Sequence, residues 1–204
     1  MEQLRALYDA SFPIKYGDAF YEALAMGVYN GKPLVSVVAE INGVIIGAAS
    51  ASYDSSGHQL VNANREAIYI LTLAVSPAWR RQGIATALMH AIATWAKAQP
   101  NVDAEYLHVL ATNSSAINFY ESNGFLNYKR EIGFYPINNA LEDAYLLVRY
   151  FHGIQAPPLQ VESVWERVWG IVSRAVLRVV LVITSIAENA LPNEHPPKSA
   201  ETLV

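Results

Sequence analysis

Arg80-Arg81-Gln82-Gly83-Ile84-Ala85-Thr86 is the segment from which the architecture of this chain can be worked out. An apolar, strand-like run, Ile68 to Val75, precedes it, and helical periodicity begins at Ile84. A strand, a short basic turn with a glycine and a helix, in that order, bring free backbone N–H groups and the positive end of the helix dipole to one point. Arginines add charge-assisted donors that match phosphate geometry. The turn is therefore a candidate anion cradle, although an ordinary solvated basic turn at a helix start explains the same residues.

Periodic patterns on both sides of this turn predict a mixed-sheet α/β domain. Helices are expected over Leu4 to Ala10, Ala19 to Val28, Ile84 to Ala98 and Ser114 to Asn123. Strands are expected over Leu34 to Glu40, Val44 to Tyr53, Ile68 to Val75, Glu105 to Leu110, Phe125 to Phe134 and Leu141 to Phe151. Asn42-Gly43, between the first two strands, is typical of a tight hairpin. Strands before a βαβα centre, followed by a closing hairpin, predict one domain over residues 1–151.

Composition restricts the classes of function. The chain has 204 residues, of which 52% are hydrophobic, and its net charge of −4 argues against nucleic-acid binding. It contains no cysteine, which excludes disulfides, thiolate metal ligands and a cysteine nucleophile. His58, His90, His152 and His195 follow no ligand spacing, so we expect no metal site. The first five residues open an amphipathic helix and lack the apolar core of a signal peptide.

A second motif begins about thirty residues after Gly83. It runs from Asn113 to Phe125 with the pattern N-x-x-A-x-x-F-Y-x-x-x-G-F. Together with Arg80-x-x-Gly83-x-Ala85, it resembles the paired cofactor motifs of the GCN5-related N-acetyltransferase (GNAT) family. Either motif alone is a weak signal, whereas both together, in this order and on these elements, are specific. The resemblance implies a GNAT fold, in which a mixed central sheet with a βαβα core binds acetyl-CoA.

Other segments resemble the N-terminal protein acetyltransferases of that family, and above all their NatF type. These segments are Phe12 to Tyr16, Tyr69 to Leu71, Tyr106 to Leu110 and Ala116 to Glu121. The close resemblance covers about residues 10–150. Lys15 stands where NatF-type enzymes carry a glutamate, and Ala74 and Ala85 replace family glycines. The chain also begins at its first helix, without the family's usual first strand.

The resemblance assigns roles to individual residues. It implies that Tyr69 and His108 remove a proton from the substrate amine through ordered water, and that Tyr120 protonates the departing thiolate. The residues that it assigns to acetyl-CoA are Leu73, Ala74, Val75, Arg81, Gln82, Gly83, Ile84, Ala85, Thr86, Asn113, Tyr120, Glu121, Ser122 and Asn123. The residues that it assigns to the peptide substrate are Tyr16, Leu71 and Tyr135.

Residue chemistry is compatible with these roles but leaves structural alternatives open. An α-amino group has a pKa near 8, so a modest base suffices, and imidazole titrates near neutral pH. However, Tyr69 and His108 would also suit a buried pair satisfied by core hydrogen bonds, Asn113 a helix N-cap, and Tyr120 a core aromatic. Without cysteine a cysteinyl acyl-enzyme is impossible, so direct attack in a ternary complex is the expected mechanism.

The sequence changes in character after the domain. Residues 152–160 contain Ala156-Pro157-Pro158 and are expected to form a linker, residues 161–190 an amphipathic helix, and residues 191–204 a flexible tail. The helix would present Trp165 and Trp169 on its apolar half and Arg174 and Arg178 on its polar half, which favours a membrane interface. A spanning helix, in which each arginine costs about 2.5–3.5 kcal/mol, and docking on a protein surface are the alternatives.

The expected function follows from the resemblance and the tail. We expect an N-terminal protein acetyltransferase that moves acetyl from acetyl-CoA to the α-amine of proteins beginning with Met and an apolar residue. The NatF resemblance implies a peripheral enzyme on the cytosolic face of an endomembrane, the Golgi in particular. The alternatives are a lysine or small-amine acetyltransferase and a non-catalytic, membrane-bound acyl-CoA-binding scaffold. The joint presence of Tyr69, His108 and Tyr120 argues against the scaffold.

Overall fold

The computed structural model of the protein describes residues 1–62, 64–137 and 140–151. Within these residues the helices are α1 (Glu2–Ser11), α2 (Asp18–Met26), α3 (Ile84–Lys97) and α4 (Ser114–Ser122). The strands are β1 (Val28–Tyr29), β2 (Lys32–Ile41), β3 (Val44–Tyr53), β4 (Glu66–Val75), β5 (Val102–Leu110), β6 (Leu126–Ile137) and β7 (Ala140–Tyr150). Short 3-10 helices cover Ser55–Leu60 and Pro77–Trp79. The predicted linker, amphipathic helix and tail, residues 152–204, lie outside the described residues.

The predicted helices and strands of the domain are confirmed, with shifts at some boundaries. The second helix was predicted to reach Val28 but ends at Met26, because Gly27 adopts a φ of +70° and turns the chain out of the helix. Val28 then begins β1, which the sequence pattern did not predict. The Asn42-Gly43 turn has positive φ at both residues, 50° and 79°, as a tight β2–β3 hairpin requires.

The strands form one mixed sheet of order β1-β2-β3-β4-β5-β7-β6. Neighbouring strands are antiparallel except for β4 and β5, which are parallel. The crossover from β4 to β5 is made by α3, so the predicted βαβα centre is confirmed. It places the parallel pair in the middle of the sheet.

Two helical layers cover the sheet. Helices α1 and α2 pack on one face through an aromatic group: Tyr8, Phe12, Tyr16, Phe20 and Tyr21. Helices α3 and α4 pack on the other through Leu88, Met89, Ile92, Ala116 and Tyr120. Strand β4 lies between the layers and is buried from Ala67 to Val75, which confirms the predicted central strand.

A β-bulge in β4 changes which side chains face the α1–α2 layer. Ser50 of β3 pairs with Thr72 and Ala51 pairs with Ile70, which leaves Leu71 without a partner in β3. Leu71 therefore packs in the α1–α2 core, and the neighbouring Thr72 also points there, with its Oγ1 2.9 Å from the Tyr8 hydroxyl. Bulges re-aim side chains in this way beside functional sites.

The two parallel strands diverge towards their C-terminal ends. Their pairing runs from Glu66–Val102 to Tyr69–Tyr106. Beyond that point β4 stays paired with β3 as far as Val75, and β5 stays paired with β7 as far as Leu110. A gap therefore opens inside the sheet at the carboxyl ends of β4 and β5. Ligands of α/β sheets bind at such positions.

The described residues contain neither a membrane-crossing helix nor a cluster of metal ligands. None of their helices is long and apolar enough to cross a membrane. No group of three or more of their histidine, aspartate or glutamate side chains could hold a metal ion.

Candidate active site

The N-terminus of α3 lies beside the gap and has the features of an anion-binding site. Gly83 is the N-cap residue, with a φ of 80°, and no side chain caps the helix. The first-turn amides of an α-helix have no intrahelical partner, so those of Ile84, Ala85 and Thr86 remain available as donors. Arg81 also has a positive φ, 63°, and its side chain is exposed. A non-glycine residue in this region is strained, and such strain is concentrated at functional sites.

Two contacts hold this helix end in place. Arg80 Nε donates to the Val75 carbonyl at 3.1 Å, which ties the turn to the end of β4. Gly47 of β3 lies directly under α3, since a Cβ atom there would be 3.0 Å from Cγ2 of Ile84. The absence of a side chain at Gly47 therefore lets α3 approach the sheet closely.

The N-terminus of α4 lies at the same edge of the sheet, because α4 follows β5 as α3 follows β4. Asn113 is its N-cap, and its Oδ1 accepts a hydrogen bond from the Ala116 amide at 3.1 Å. The structural role left open for Asn113 is therefore observed. The two helix N-termini flank the open end of the gap and both favour a negatively charged ligand.

Tyr69 of β4 and His108 of β5 meet where the two strands begin to separate. The Tyr69 hydroxyl lies 3.1 Å from Nδ1 of His108, within hydrogen-bond distance. Their residues are 7% and 9% exposed, so the pair is shielded from bulk water. The ring of His108 also stacks on Phe134 of β6, with 3.9 Å between centroids and 15° between planes. This contact suits a proton-accepting unit and equally the hydrogen-bonded core pair left open by the sequence, so the catalytic role of the two residues stays a prediction.

Glu131 of β6 is a site residue that the sequence interpretation missed. Its Oε2 lies 3.6 Å from Nε2 of His108, and its Oε1 lies 3.0 Å from Nζ of Lys129. Burial alone would raise the pKa of Glu131, but the interactions with His108 and Lys129 outweigh burial and lower the pKa to about 2. Glu131 is therefore a carboxylate throughout the physiological range.

The position of Glu131 could not be derived from periodicity. The β6–β7 register shifts between Asn127 and Lys129 and again between Glu131 and Tyr135. Each shift changes the face to which the following side chains point, so the simple alternation of a strand fails along β6. The available signal was a glutamate two residues after a lysine in a predicted strand, which is too common to indicate a site.

Two of the predicted peptide-binding residues, Tyr16 and Leu71, pack in the same core as Tyr69, and the third, Tyr135, contacts the backbone of His108. Tyr135 donates its hydroxyl proton to the His108 carbonyl at 3.0 Å and is 2% exposed. Tyr16 stacks on Phe20, with 3.9 Å between ring centroids, and Leu71 occupies the bulge of β4. All three predicted residues are buried in this structure. Their contact with a peptide stays a prediction.

Tyr120 belongs to the core between the sheet and α3–α4, whereas Tyr69 belongs to the core on the other face of the sheet. Tyr120 is fully buried in the α3–α4 core and packs against Phe119 and Phe125, with centroid distances of 5.2 and 5.5 Å. The core position left open by the sequence is therefore the one observed, and protonation of a thiolate by Tyr120 stays a prediction.

Glu121, Ser122 and Asn123 are at the C-terminal end of α4. Ser122 Oγ and Asn123 Nδ2 both donate to the Phe119 carbonyl, at 2.7 and 2.8 Å. The length of α4 separates these residues from Asn113 by about 13 Å at 1.5 Å per residue. The structure does not bring them to the helix N-termini, and their predicted contact with acetyl-CoA stays a prediction.

A match to a family model shows to which protein family this chain belongs. The model of the acetyltransferase (GNAT) family matches residues 1–125, which is more than half of the chain. The chain belongs to the GNAT acetyltransferase family. The resemblance seen in the two sequence motifs is thereby confirmed, and so is the predicted GNAT fold of the domain.

Individual GNAT relatives narrow the comparison. N-alpha-acetyltransferase 60 of Xenopus tropicalis is 34% identical over 159 residues, which cover 72% of this chain and 64% of the relative. Histone acetyltransferase MCC1 of Arabidopsis thaliana is 32% identical over 179 residues, which cover 79% of this chain and 71% of the relative. The crystal structure of Arabidopsis thaliana NAA60 in complex with acetyl-CoA is 31% identical, with a TM-score of 0.65, and the match covers 74% of this chain and 93% of that one.

The described residues of this GNAT domain fit acetyl-CoA. The free amides at α3 and the strained Arg81–Gly83 turn suit a diphosphate, and the space around the Cβ position of Gly83 is open. Leu73, Ala74 and Val75 pair with β3 along one edge, while their other edge faces the gap. Backbone groups on such an edge need partners, which the amides of a pantetheine chain can provide.

Proposed function

We propose that this protein is an N-terminal protein acetyltransferase that transfers acetyl from acetyl-CoA to the α-amine of protein N-termini. The observation that carries the proposal is the Tyr69–His108 pair, with 3.1 Å between Oη and Nδ1, at the start of the gap between β4 and β5. Family membership supports acetyl transfer, and the similarity to N-alpha-acetyltransferase 60 supports an α-amine as the acceptor.

The roles of the chain's own residues follow from this geometry. Acetyl-CoA, held by the α3 amides and the free edge of β4, supplies an acetyl thioester. Tyr69 and His108 accept a proton from the substrate ammonium, so that the neutral amine becomes the nucleophile. Their burial keeps competing water away from the reacting carbon. Direct attack in a ternary complex needs no covalent enzyme intermediate.

Substrate preference and location are finer parts of the proposal. Apolar groups around the site, including Leu71 and Phe134, support an apolar start to the peptide, such as Met followed by an apolar residue. The amphipathic pattern of residues 161–190 supports peripheral attachment to the cytosolic face of an endomembrane. The sequence resemblance to the NatF type supports the Golgi as that membrane.

The acceptor is tested with radiolabelled acetyl-CoA and three substrates: a Met-Leu peptide, an N-terminally blocked peptide with an internal lysine, and a polyamine. We expect label on the Met-Leu peptide. Tyr69→Phe and His108→Ala should each lower kcat by about 100-fold, the usual share of acid–base catalysis, while CoA binding persists. Transfer to the internal lysine and not to the Met-Leu peptide would overturn the proposal.

A lysine acetyltransferase is the second candidate function. One observation favours it, because the similar Arabidopsis thaliana protein MCC1 is named a histone acetyltransferase. The blocked lysine peptide is therefore the decisive arm of the panel. Binding of acetyl-CoA without transfer to any of the three acceptors would favour the non-catalytic scaffold.

Membrane attachment is tested separately by flotation with neutral liposomes. We expect the full chain to float and a chain truncated after Phe151 to stay in the dense fraction, because apolar burial by the helix would drive binding. Equal flotation of the two chains would refute the role of residues 161–190.

A further inference from the structure

One ring nitrogen of His108 has a hydrogen-bond partner in the proposed mechanism, and the other has no role in it so far. Nδ1 faces the Tyr69 hydroxyl at 3.1 Å. Nε2 is buried and makes no hydrogen bond among the described residues, although the Glu131 carboxylate lies 3.6 Å away. A buried polar atom without a hydrogen bond lowers the stability of the fold, so a carboxylate placed next to it points to a function for the pair.

We propose that Glu131 is a positioning residue that holds His108 in the Nε2–H tautomer, so that Nδ1 accepts the proton from Tyr69. The proposal rests on the proposed function, since it concerns the proton acceptor of that same reaction. An ionised carboxylate can only accept hydrogen bonds, so a carboxylate facing Nε2 favours a proton on that nitrogen. Nδ1 is then left with a lone pair, directed at the Tyr69 hydroxyl.

The surroundings of His108 leave few other groups to set its protonation. Among the described residues, the titratable side chains that contact the His108 ring are Tyr69 on β4 and Glu131 on β6, with Lys129 on the far oxygen of Glu131 at 3.0 Å. The Tyr135 hydroxyl on β6 donates to the His108 carbonyl. The residue paired with His108 on β7 is Leu146, which carries no charge. Phe134 stacks on the ring and limits its rotation. Phe134 therefore fixes the orientation of the His108 ring, and Glu131 determines which ring nitrogen carries the proton.

Each proton in the step is accounted for. The substrate ammonium gives its proton to the Tyr69 oxygen as the Tyr69 hydroxyl proton passes to Nδ1 of His108. The products are a neutral amine, an unchanged tyrosine and an imidazolium. The positive charge has moved from the substrate to His108, where the Glu131 carboxylate stabilises it. The separation of 3.6 Å suits this role, because catalytic hydrogen bonds often tighten only when substrate is bound.

Glu131→Gln tests the charge while keeping the size of the side chain. With the full chain and the best acceptor of the panel, we expect kcat to fall about 10-fold. The acid limb of the kcat/KM profile should move to lower pH, because the variant lacks the negative charge that faces the imidazolium. KM for acetyl-CoA should stay within about twofold. Glu131→Asp keeps the charge and should restore the position of the acid limb.

Glu142→Gln is the matched control, since Glu142 lies on the adjacent strand β7, opposite Tyr135, and outside the proposed machinery. It should leave kcat and the pH profile unchanged. A merely structural role for Glu131 would lower the amount of folded enzyme, as thermal unfolding would show, without moving the acid limb. An unshifted acid limb in folded Glu131→Gln would therefore overturn the proposal.

A readout independent of activity separates this inference from the proposed function. In ¹⁵N spectra of the full chain above neutral pH, we expect His108 to carry its proton on Nε2, and we expect the Nδ1–H form to gain population in Glu131→Gln. Equal tautomer populations in the two proteins would overturn the inference even if acetyl transfer is observed. Conversely, the expected spectra without any acetyl transfer would refute the proposed function and leave the role of Glu131 on His108 supported.

Discussion

Gly83→Ala provides a measurable test of the anion cradle at α3. Gly83 has a φ of +80°, and a Cβ atom there would meet nothing within 4 Å, so the substitution introduces conformational strain and no clash. That strain is about 1–2 kcal/mol for an L-residue in the left-handed region. The free chain can relieve it by rearranging the exposed turn, but CoA would require the original geometry. CoA affinity should therefore fall about 5- to 30-fold, which is the same free energy expressed as a binding ratio.

Gly31→Ala is the matched control for this experiment. Gly31 has a φ of +72° and the same open surroundings, but it lies in the β1–β2 turn, three strands from the gap. Its strain should appear as a loss of stability, with a Tm lower by about 2–8 °C for a domain of this size. CoA affinity should not change.

Isothermal titration of CoA into the full chain, with thermal unfolding of the same samples, measures both quantities. If Gly83→Ala and Gly31→Ala bind CoA with affinities within twofold of each other, the turn does not hold the diphosphate. A loss of affinity in both variants would point to a general loss of folded protein, which the unfolding curves would reveal.

Three further outcomes concern stability, each measured by urea or thermal unfolding. Arg149→Met should cost about 3 kcal/mol at pH 8, because it leaves the fully buried Glu105 carboxyl without its ion pair. Burial raises the pKa of Glu105 to about 7, so its carboxyl is protonated in the folded state at pH 5. The loss of unfolding free energy in Arg149→Met should therefore be about 1–2 kcal/mol smaller at pH 5 than at pH 8, and an equal loss at both pH values would contradict this. The pKa of Glu131 is lowered from 4.5 to about 2, so its carboxylate should add about 3 kcal/mol to the free energy of unfolding above pH 4.5, and this contribution should disappear as the pH falls towards 2. The difference in unfolding free energy between wild type and Glu131→Gln should therefore shrink between pH 5 and pH 3. Tyr8→Phe should cost about 1 kcal/mol, since it removes the buried hydrogen bond to Thr72, and an unchanged Tm would show that this bond contributes nothing.

Most elements of the domain were predictable because each one satisfies a local rule. The hairpin predicted from Asn42-Gly43 and the long apolar run of β4 correspond to confirmed strands. Gly124, with a φ of 86°, follows the end of α4 where a stop was expected. The error at Val28 arose where helical periodicity continued through Gly27, a residue whose left-handed conformation is not visible in the hydrophobic pattern.

The candidate site was predictable only in part. The order of the Arg80–Thr86 turn and the Asn113–Phe125 motif pointed to the anion cradle, since both are local segments at helix starts. The partners of His108 come from distant strands, and their faces depend on register. The shifts along β6 concealed Glu131, and the bulge of β4 determined which way Leu71 points.

The local chemistry of the chain therefore specifies the helices, the strands, the basic glycine turn and the family. The helices, strands and turn depend on contacts between residues close in sequence, which periodicity and turn preferences describe, and the family is recognised from motifs that lie on those elements. The divergence of β4 from β5, the 3.1 Å contact between Tyr69 and His108, and the approach of Glu131 to the second imidazole nitrogen were decided by the assembled sheet. Each depends on how β3, β6 and β7 hold the two central strands, and a bulge or register shift in any of them redirects side chains that the linear sequence leaves equivalent.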